Sequence, residues 1–278
     1  ARISAQRLTE TLGQPFVAEN RAGAGGMIGT EQVAKAAPDG YTLLAASTGP
    51  IVTSPLVQRT SYNAERDFAE ICVTGVSPYL LVVPPNFPAR SAEEFLALLR
   101  ARPGHYTFSS SGTGATAHIV AAWFHAMANV DVVHVPFAGS APAMTAVVGG
   151  HVSYSIETLA ATGPLIRNGS LRALGISFKN GSTLAPDVPP LARLPGMQDY
   201  DAGAWIGLMA PAGTPRPIID RIDAEIGRAM QGGDMRERLI TAGLEPVYHG
   251  PDAMRDYVGT QRRAFAGAIR AANIRIEG

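Results

Sequence analysis

Three short segments combine serine, threonine and glycine where predicted strands end, and they could hold an anion. They are residues 47–49, 109–116 and 137–140. Each precedes a predicted helix, whose first N–H groups carry a partial positive charge that attracts anions. No Lys or Arg lies within the three segments. Neutral donors alone suit a mono- or dicarboxylate better than a multiply charged phosphate ester.

Ordinary turns and helix caps use the same residue types, so a single segment of this kind would mean little. Three at matching positions strengthen the binding-site interpretation until it stands level with the interpretation as turns and caps. Glu157 ends a predicted strand and could accept a hydrogen bond from a ligand amine or hydroxyl, or cap a neighbouring loop. Trp205 could pack at a hinge or form a wall of the ligand site, and hinge packing is favoured.

His118 lies in the first turn of the helix predicted after segment 109–116. It could contact a ligand or respond to pH, although a histidine that simply packs against the loop is more common. The other histidines are dispersed and show no metal-ligand spacing: His105, His125, His134, His151 and His249.

Motifs of the common enzyme and cofactor classes are not found. The glycines of segment 23–26 do not follow the G-x-G-x-x-G pattern, and close helix–sheet packing explains them better than a dinucleotide. The single cysteine, Cys72, excludes an internal disulfide and lies in an apolar run typical of a buried residue. We therefore expect no catalytic residue, no metal and no cofactor.

Composition narrows the class of protein further. The 278 residues include 23 basic and 23 acidic side chains, for a formal net charge of zero. The basic residues form no stripe, so a nucleic-acid partner is not expected. Hydrophobic residues make up 46% of the chain, which is enough for a substantial core. No apolar run reaches the length of a membrane span.

Alternating strands and helices predict an α/β fold with mostly parallel sheets. The predicted strands are 15–19, 41–46, 79–83, 106–110, 132–136, 153–156, 173–178 and 204–210. The predicted helices are 1–12, 27–37, 91–100, 113–127, 141–148, 162–168, 215–230, 235–242 and 252–272.

Two apolar segments, 79–83 and 204–210, interrupt the alternation and suggest strands that cross between two lobes. We expect one lobe from residues 1–82 and 206–278 and another from 83–205. A ligand would bind in the cleft, because ligands of open α/β sheets lie outside the carboxyl ends of strands.

Six stretches in chain order resemble a known family. They are ENRAGAGG at 19–26, AKAAPDGYTLL at 34–44, VPFAGSAPA at 135–143, LRAL at 171–174, PDVP at 186–189 and WIGLMAPAGTP at 205–215. The chain resembles the Bug (TctC-type) extracytoplasmic solute receptors, the binding-protein components of tripartite tricarboxylate transporters. The resemblance implies a type 2 periplasmic-binding-protein fold whose cleft closes on a ligand, with no catalysis.

The resemblance also implies a periplasmic protein that captures a dicarboxylate, tricarboxylate, acidic amino acid or aromatic acid and passes it to membrane transporter subunits. We expect a monomer. The candidate ligand-binding residues are Ser47, Thr48, Ser110, Ser111, Thr113, Gly114, Ala115, Thr116, Phe137, Gly139, Ser140 and Glu157.

The chain departs from the family pattern within these loops. Ala115 stands where a hydroxyl residue is usual, Phe137 and Ala138 replace more polar residues, and Glu157 replaces a common Asp. Phe137 would favour a ligand with an apolar or aromatic body.

By the family resemblance, we expect the first strand of the family sheet and its loop to precede the position of Ala1, outside the 278 residues of this chain. A central gap would leave backbone groups unpaired on both neighbouring strands. We expect either a truncated sequence or a lobe with an abnormal edge. Weakened ligand binding is expected only if the 278 residues are the full product.

Two other classes of function stay open at this stage. The chain could be the ligand-sensing domain of a bacterial regulator, or a truncated relative that no longer binds. An enzyme on this fold is a third class, which a screen for turnover would detect and which we do not expect.

Overall fold

The computed structural model describes residues 1–21 and 23–271. Ala22 of the predicted glycine-rich turn and Ala272 of the last predicted helix lie outside the described residues. The helices are α1 (Arg2–Leu12), α2 (Met27–Ala34), α3 (Ser54–Val57), α4 (Ala92–Ala101), α5 (Thr116–Ala128), α6 (Ser140–Val148), α7 (Leu159–Arg167), α8 (Arg216–Gln231), α9 (Gly233–Thr241) and α10 (Pro251–Ala271). The strands are β1 (Leu44–Ser47), β2 (Phe68–Val83), β3 (Thr107–Ser110), β4 (Val133–Pro136), β5 (Tyr154–Thr158), β6 (Arg172–Ile176), β7 (Gly203–Pro211) and β8 (Glu245–His249).

The chain divides into two compact units. Unit 1 comprises residues 1–76 and 205–265, and unit 2 comprises residues 77–204 together with the chain from Ala266 onward. The sequence placed the first division at 82/83 and kept all C-terminal helices in the first lobe, so the two divisions differ by several residues. None of the helices in the described residues is both long and apolar enough to cross a membrane.

Unit 1 contains a sheet in the order β1-β7-β2-β8. β1 runs antiparallel to β7, with Leu44 opposite Met209 and Ser47 opposite Ile206. α8 is amphipathic, and its apolar face packs against the buried centre of β2 and β7. The buried side chains that α8 contributes to this hydrophobic cluster are Ile219, Ile222, Ile226, Ala229 and Met230. α1 contacts α8, and Gly13 ends α1 in the left-handed conformation at φ 66°, as the sequence predicted.

The strand predicted at residues 15–19 is wrong. The segment is assigned no strand, Val17 is 80% exposed, and the Phe16 N–H donates to Thr9 Oγ1 at 2.8 Å. The segment lines a cavity of about 1100 Å³ together with residues 40–45 and residues of α1 and α2. Within the described residues β1 pairs with β7 alone. Residues 15–19 therefore have no neighbouring strand with which to form hydrogen bonds, and their apolar pattern alone does not make them a strand.

Unit 2 contains a second sheet, in the order β6-β2-β5-β3-β4. β3 is parallel to both β4 and β5, and α5 and α6 connect these strands in sequence. β2 is antiparallel to β5 and β6. The predicted predominance of parallel pairs therefore holds for β5-β3-β4, whereas β2 is antiparallel to β5, β6 and β8, and β1 is antiparallel to β7.

Helix signals in the sequence located most helices within a few residues. Ser91 caps α4 as predicted, its hydroxyl accepting the Glu94 N–H at 3.2 Å, while Glu94 accepts the Arg90 N–H at 2.7 Å. Two strand features were not predicted: β8, and residues 68–78 of β2. β8 carries a half-polar pattern with Pro246, which masked its strand character.

Candidate ligand-binding site

The carboxyl ends of β3, β4 and β5 lie at one edge of the unit 2 sheet, because the three strands are parallel and adjacent. The Phe137 N–H donates to the Ser110 carbonyl at 3.0 Å, so the loops after β3 and β4 touch. α5 and α6 begin directly after these loops. The structure thus brings together the predicted groups 110–116, 137–140 and Glu157.

The Ser110 hydroxyl is used within its own loop. Ser110 is fully buried, and its Oγ accepts the Gly112 N–H at 3.2 Å, lies 3.1 Å from the Gly112 carbonyl oxygen and lies 2.7 Å from His134 Nε2. Such a saturated hydroxyl shapes the turn rather than offering a free donor.

The rest of this loop, residues 111–116, consists mostly of small residues that would let a ligand approach the backbone closely. Gly112 and Gly114 have φ of 134° and 76°, which side-chain-bearing residues adopt rarely. Ala115 is the N-cap residue of α5 and supplies no side-chain cap. Ser111 and Ala115 are half-buried and Thr113 is exposed, so these three residues remain accessible.

Thr116 and Tyr79 form a buried pair beside the loop. Both are almost completely buried, and the two side chains are hydrogen-bonded. Burial raises the pKa of the Tyr79 hydroxyl, and nearby Glu157 adds to that rise. Sequence reasoning missed Tyr79, since it heads an apolar run that gives no sign of a polar neighbour.

Glu157 is the most unusual titratable group in this part of unit 2. It is 2% exposed, and its Oε1 accepts the Thr158 N–H at 2.8 Å. Its Oε2 has no well-aligned hydrogen-bond partner among the described residues. Burial raises the pKa of the Glu157 carboxyl, and Thr158 and Ser140 offset part of that rise. Oε2 is therefore an unsatisfied buried atom that a ligand group could bond.

Replacing Glu157 by glutamine should stabilise the protein at pH 8 by about 1 to 3 kcal/mol, because the variant no longer buries a poorly solvated charge. The native carboxyl binds its proton more tightly than the unfolded one, so the penalty begins near the ordinary pKa of 4.5 and grows as pH rises. Urea unfolding at pH 8 and pH 4 tests this, with exposed Glu93→Gln as the control. A stability gain for Glu157→Gln that persists at pH 4 would contradict the charge explanation.

The loop after β4 has few side chains that could contact a ligand, so its backbone groups are the main candidates. Gly139 is the N-cap residue of α6 with φ 153°, and Ser140 is the first helical residue. The Phe137 ring is half-buried and packs against the hydrophobic cluster of unit 2. Part of the Phe137 ring is therefore buried against the protein and is not available to the apolar ligand body that the sequence analysis expected it to contact.

In unit 1, Thr48 has a structural role. The Trp205 N–H donates to Thr48 Oγ1 at 2.7 Å, and Thr48 is 1% exposed. Ser47 is half-buried at the end of β1. A five-residue π-helical turn and the four-residue α3 follow, in place of the regular helix that the sequence suggested. Trp205 is fully buried and its indole Nε1 has no partner among the described residues, which fits packing better than an open wall.

The other sequence-level interpretations concern reactive groups. Cys72 is fully buried, and burial raises the pKa of its thiol, so it is an inert core residue as predicted. Within residues 1–21 and 23–271, no three His, Cys, Asp or Glu side chains are grouped as metal ligands.

Comparisons with known proteins identify the family. The family model described as "Tripartite tricarboxylate transporter family receptor" matches residues 1–273. Protein BugT of Bordetella pertussis is 35% identical over 279 residues, covering 100% of this chain and 85% of BugT. Among solved structures, R. palustris Rpa4515 with adipate superposes with a TM-score of 0.92 at 30% identity, covering 99% of this chain and 92% of that one.

A second solved structure carries a similar ligand. MatC from Rhodopseudomonas palustris with bound malate superposes with a TM-score of 0.87 at 30% identity, covering 97% of this chain and 92% of MatC. The α/β fold expected from the sequence is confirmed by these superpositions. Members of this family are periplasmic solute-binding receptors. On the match over residues 1–273, the chain belongs to the tripartite tricarboxylate transporter family of receptors.

Proposed function

We propose that this protein is a periplasmic receptor that captures a small carboxylate and delivers it to a tripartite tricarboxylate-type transporter. One observation carries the proposal: the loops after adjacent parallel strands β3 and β4 touch, and each leads into the N-terminus of a helix of at least nine residues. The glycines at 112, 114 and 139 have no side chain that would cover the backbone there, and Gly112 and Gly139 are partly exposed.

The charge distribution supports a carboxylate. The loops contain no Lys or Arg, so the available attraction comes from helix N-termini and backbone N–H groups. Neutral donors bind a carboxylate at a smaller desolvation cost than a buried cation would incur. Two relatives at 30% identity bind adipate and malate, which are both dicarboxylates.

The proposal also assigns roles to the candidate site residues. Ser111, Thr113, Gly114, Ala115, Gly139, Ser140 and Glu157 are the proposed contacts in unit 2, with Ser47 in unit 1. Ser110, Thr116, Phe137 and Thr48 are proposed to act by holding the loops. We propose no enzymatic reaction, no cofactor, no nucleic-acid partner and a monomeric state. The regulator alternative is not favoured, since the matching family consists of transporter receptors.

A thermal-shift panel tests the proposed function. We expect at least one acid among adipate, malate, citrate, glutamate and benzoate to raise the melting temperature in a concentration-dependent way. A ligand at about 100 times its Kd adds about 2.7 kcal/mol, or roughly 5 °C for a chain of this size. Adipamide has the shape of adipate without its charges and serves as the control. A flat response to every acid, or an equal shift with adipamide, would count against a carboxylate receptor.

A further inference from the structure

Two histidines that are far apart in the sequence stack beside the loop of residues 110–116. The rings of His118 on α5 and His134 on β4 are nearly parallel, with a 4° interplanar angle and centroids 4.0 Å apart. Phe108 stacks on His134 at 4.7 Å. The pair is therefore fixed between α5 and the sheet of unit 2.

Each ring holds a different end of the loop. His118 Nδ1 accepts the Gly114 N–H at 3.2 Å, and His134 Nε2 lies 2.7 Å from Ser110 Oγ. Nδ1 of His118 must be unprotonated to accept that bond, so the neutral His118 ring carries its proton on Nε2. Both contacts fix the backbone that leads into the α5 N-terminus.

Protonation would break this arrangement. A proton on His118 Nδ1 would face the Gly114 N–H, donor against donor. A second charge on His134 would lie about 4 Å from the first. The positive N-terminal end of α5 also opposes a cation in its first turn.

The surrounding titratable groups do not compensate these charges. His125 on α5 faces Phe108 at 4.6 Å, and its Nε2 lies 2.7 Å from the Tyr154 hydroxyl on β5. His125 is buried, and burial lowers its pKa from 6.5 to about 3, so it is uncharged over the pH range in which His118 and His134 titrate. Among the described residues, no Asp, Glu, Lys or Arg contributes to the pKa shifts of His118 or His134.

We propose that His118 and His134 are positioning residues that hold the 110–116 loop in its ligand-binding shape only while both rings are neutral. Acidification would then release the loop and weaken ligand binding. The proposal rests on the proposed function, because it assigns binding to this loop.

The direction of the pH effect follows from burial. Burial lowers the pKa of His118, and burial together with His118 lowers the pKa of His134 from 6.5 to about 4. The folded loop therefore binds protons less tightly than the released loop. Its stability is complete above about pH 6.5 and is lost progressively between pH 6.5 and 4.

NMR of the ligand-free protein gives a readout that needs no ligand. We expect both imidazole rings to titrate below 6.5, His134 at about 4, and the Gly114 amide to lose protection against hydrogen exchange over the same range. Each charged histidine should reduce the protection factor by about tenfold per pH unit, after correction for intrinsic exchange. Rings that titrate near 6.5, or a Gly114 amide whose protection does not follow them, would overturn the proposal.

Calorimetry with adipate tests the link to binding. We expect the wild-type affinity to fall by about tenfold or more between pH 7.5 and 5. The double variant His118→Gln/His134→Gln should keep only the pH dependence caused by the titration of the acid and of Glu157, because glutamine offers an amide acceptor and donor that do not titrate. The control is His151→Gln, which changes an exposed histidine of unit 2 and should behave like wild type.

The outcomes separate the two claims. If no acid of the panel binds at pH 7.5, the proposed function fails, while the NMR titration still decides whether the histidines control the loop. If adipate binds and its affinity falls equally in the wild type and the double variant, the positioning role is refuted. If the double variant does not fold, the single variant His118→Gln is used in its place.

Discussion

Replacing Gly207 by alanine is expected to destabilise unit 1 by about 3 to 5 kcal/mol, near the upper end for a single methyl group. A Cβ at this position would lie 2.2 Å from the Cys72 carbonyl oxygen and 3.1 Å from Val73 Cα. These atoms belong to the backbone of β2, which cannot rotate away as a side chain would. β7 and β2 would have to separate, and the core around Cys72 and Leu208 would open with them.

Urea unfolding gives the measurement, with Gly267→Ala as the matched control. Gly267 lies within α10 with nothing within 4 Å of an added Cβ, so alanine there should gain up to about 1 kcal/mol from helix propensity. Trp205 lies two residues from Gly207 and reports on unit 1, and Trp123→Phe removes the other tryptophan. Equal unfolding midpoints for the Gly207 and Gly267 variants would show that the two strands can separate at little cost.

Local signals in the sequence predicted elements well where they were self-contained. Gly13 ends α1 and Ser91 begins α4 because caps act within one turn of the residue that supplies them. The strand at 15–19 failed for the opposite reason: a strand depends on a neighbour, and apolar alternation does not say whether one is present.

The sequence predicted which loops form the candidate site, but it did not predict the hydrogen bonds and ring contacts that their side chains make. Parallel pairing of β3, β4 and β5 is a fold-level property, so it brought the three groups to one edge as expected. A sequence does not distinguish a hydroxyl that faces a ligand from one that closes its own turn, as Ser110 does. The stacked pair of His118 and His134 was invisible because 15 intervening residues and a change of element separate them, as the residue numbers show.

Ala115→Asp is expected to separate stability from binding. Ala115 occupies the N-cap position of α5 with φ −65° and ψ 156°, the extended conformation that suits a capping residue, and it has no capping side chain. Aspartate there should accept an N–H of the first turn and stabilise the protein by about 1 kcal/mol. A loss of binding in this variant would therefore not reflect loss of fold.

The same substitution should weaken carboxylate binding strongly. Two like charges about 4 Å apart at a partly screened site repel by about 4 kcal/mol, and the new side chain also occupies N–H groups proposed for the ligand. We expect adipate affinity, measured by calorimetry at pH 7.5, to fall by about 100-fold or more.

Ala115→Asn and Ala115→Ser are the matched controls, because they cap the helix without adding charge. The serine variant adds the hydroxyl that the family pattern places here, and we expect it to bind at least as tightly as the wild type. Asparagine tests size, since it has the shape of aspartate. If the asparagine variant loses as much affinity as the aspartate variant, steric exclusion rather than charge is responsible. If the aspartate variant still binds adipate like the wild type, the carboxylate does not lie at the α5 N-terminus, and the loop of residues 110–116 is not the site.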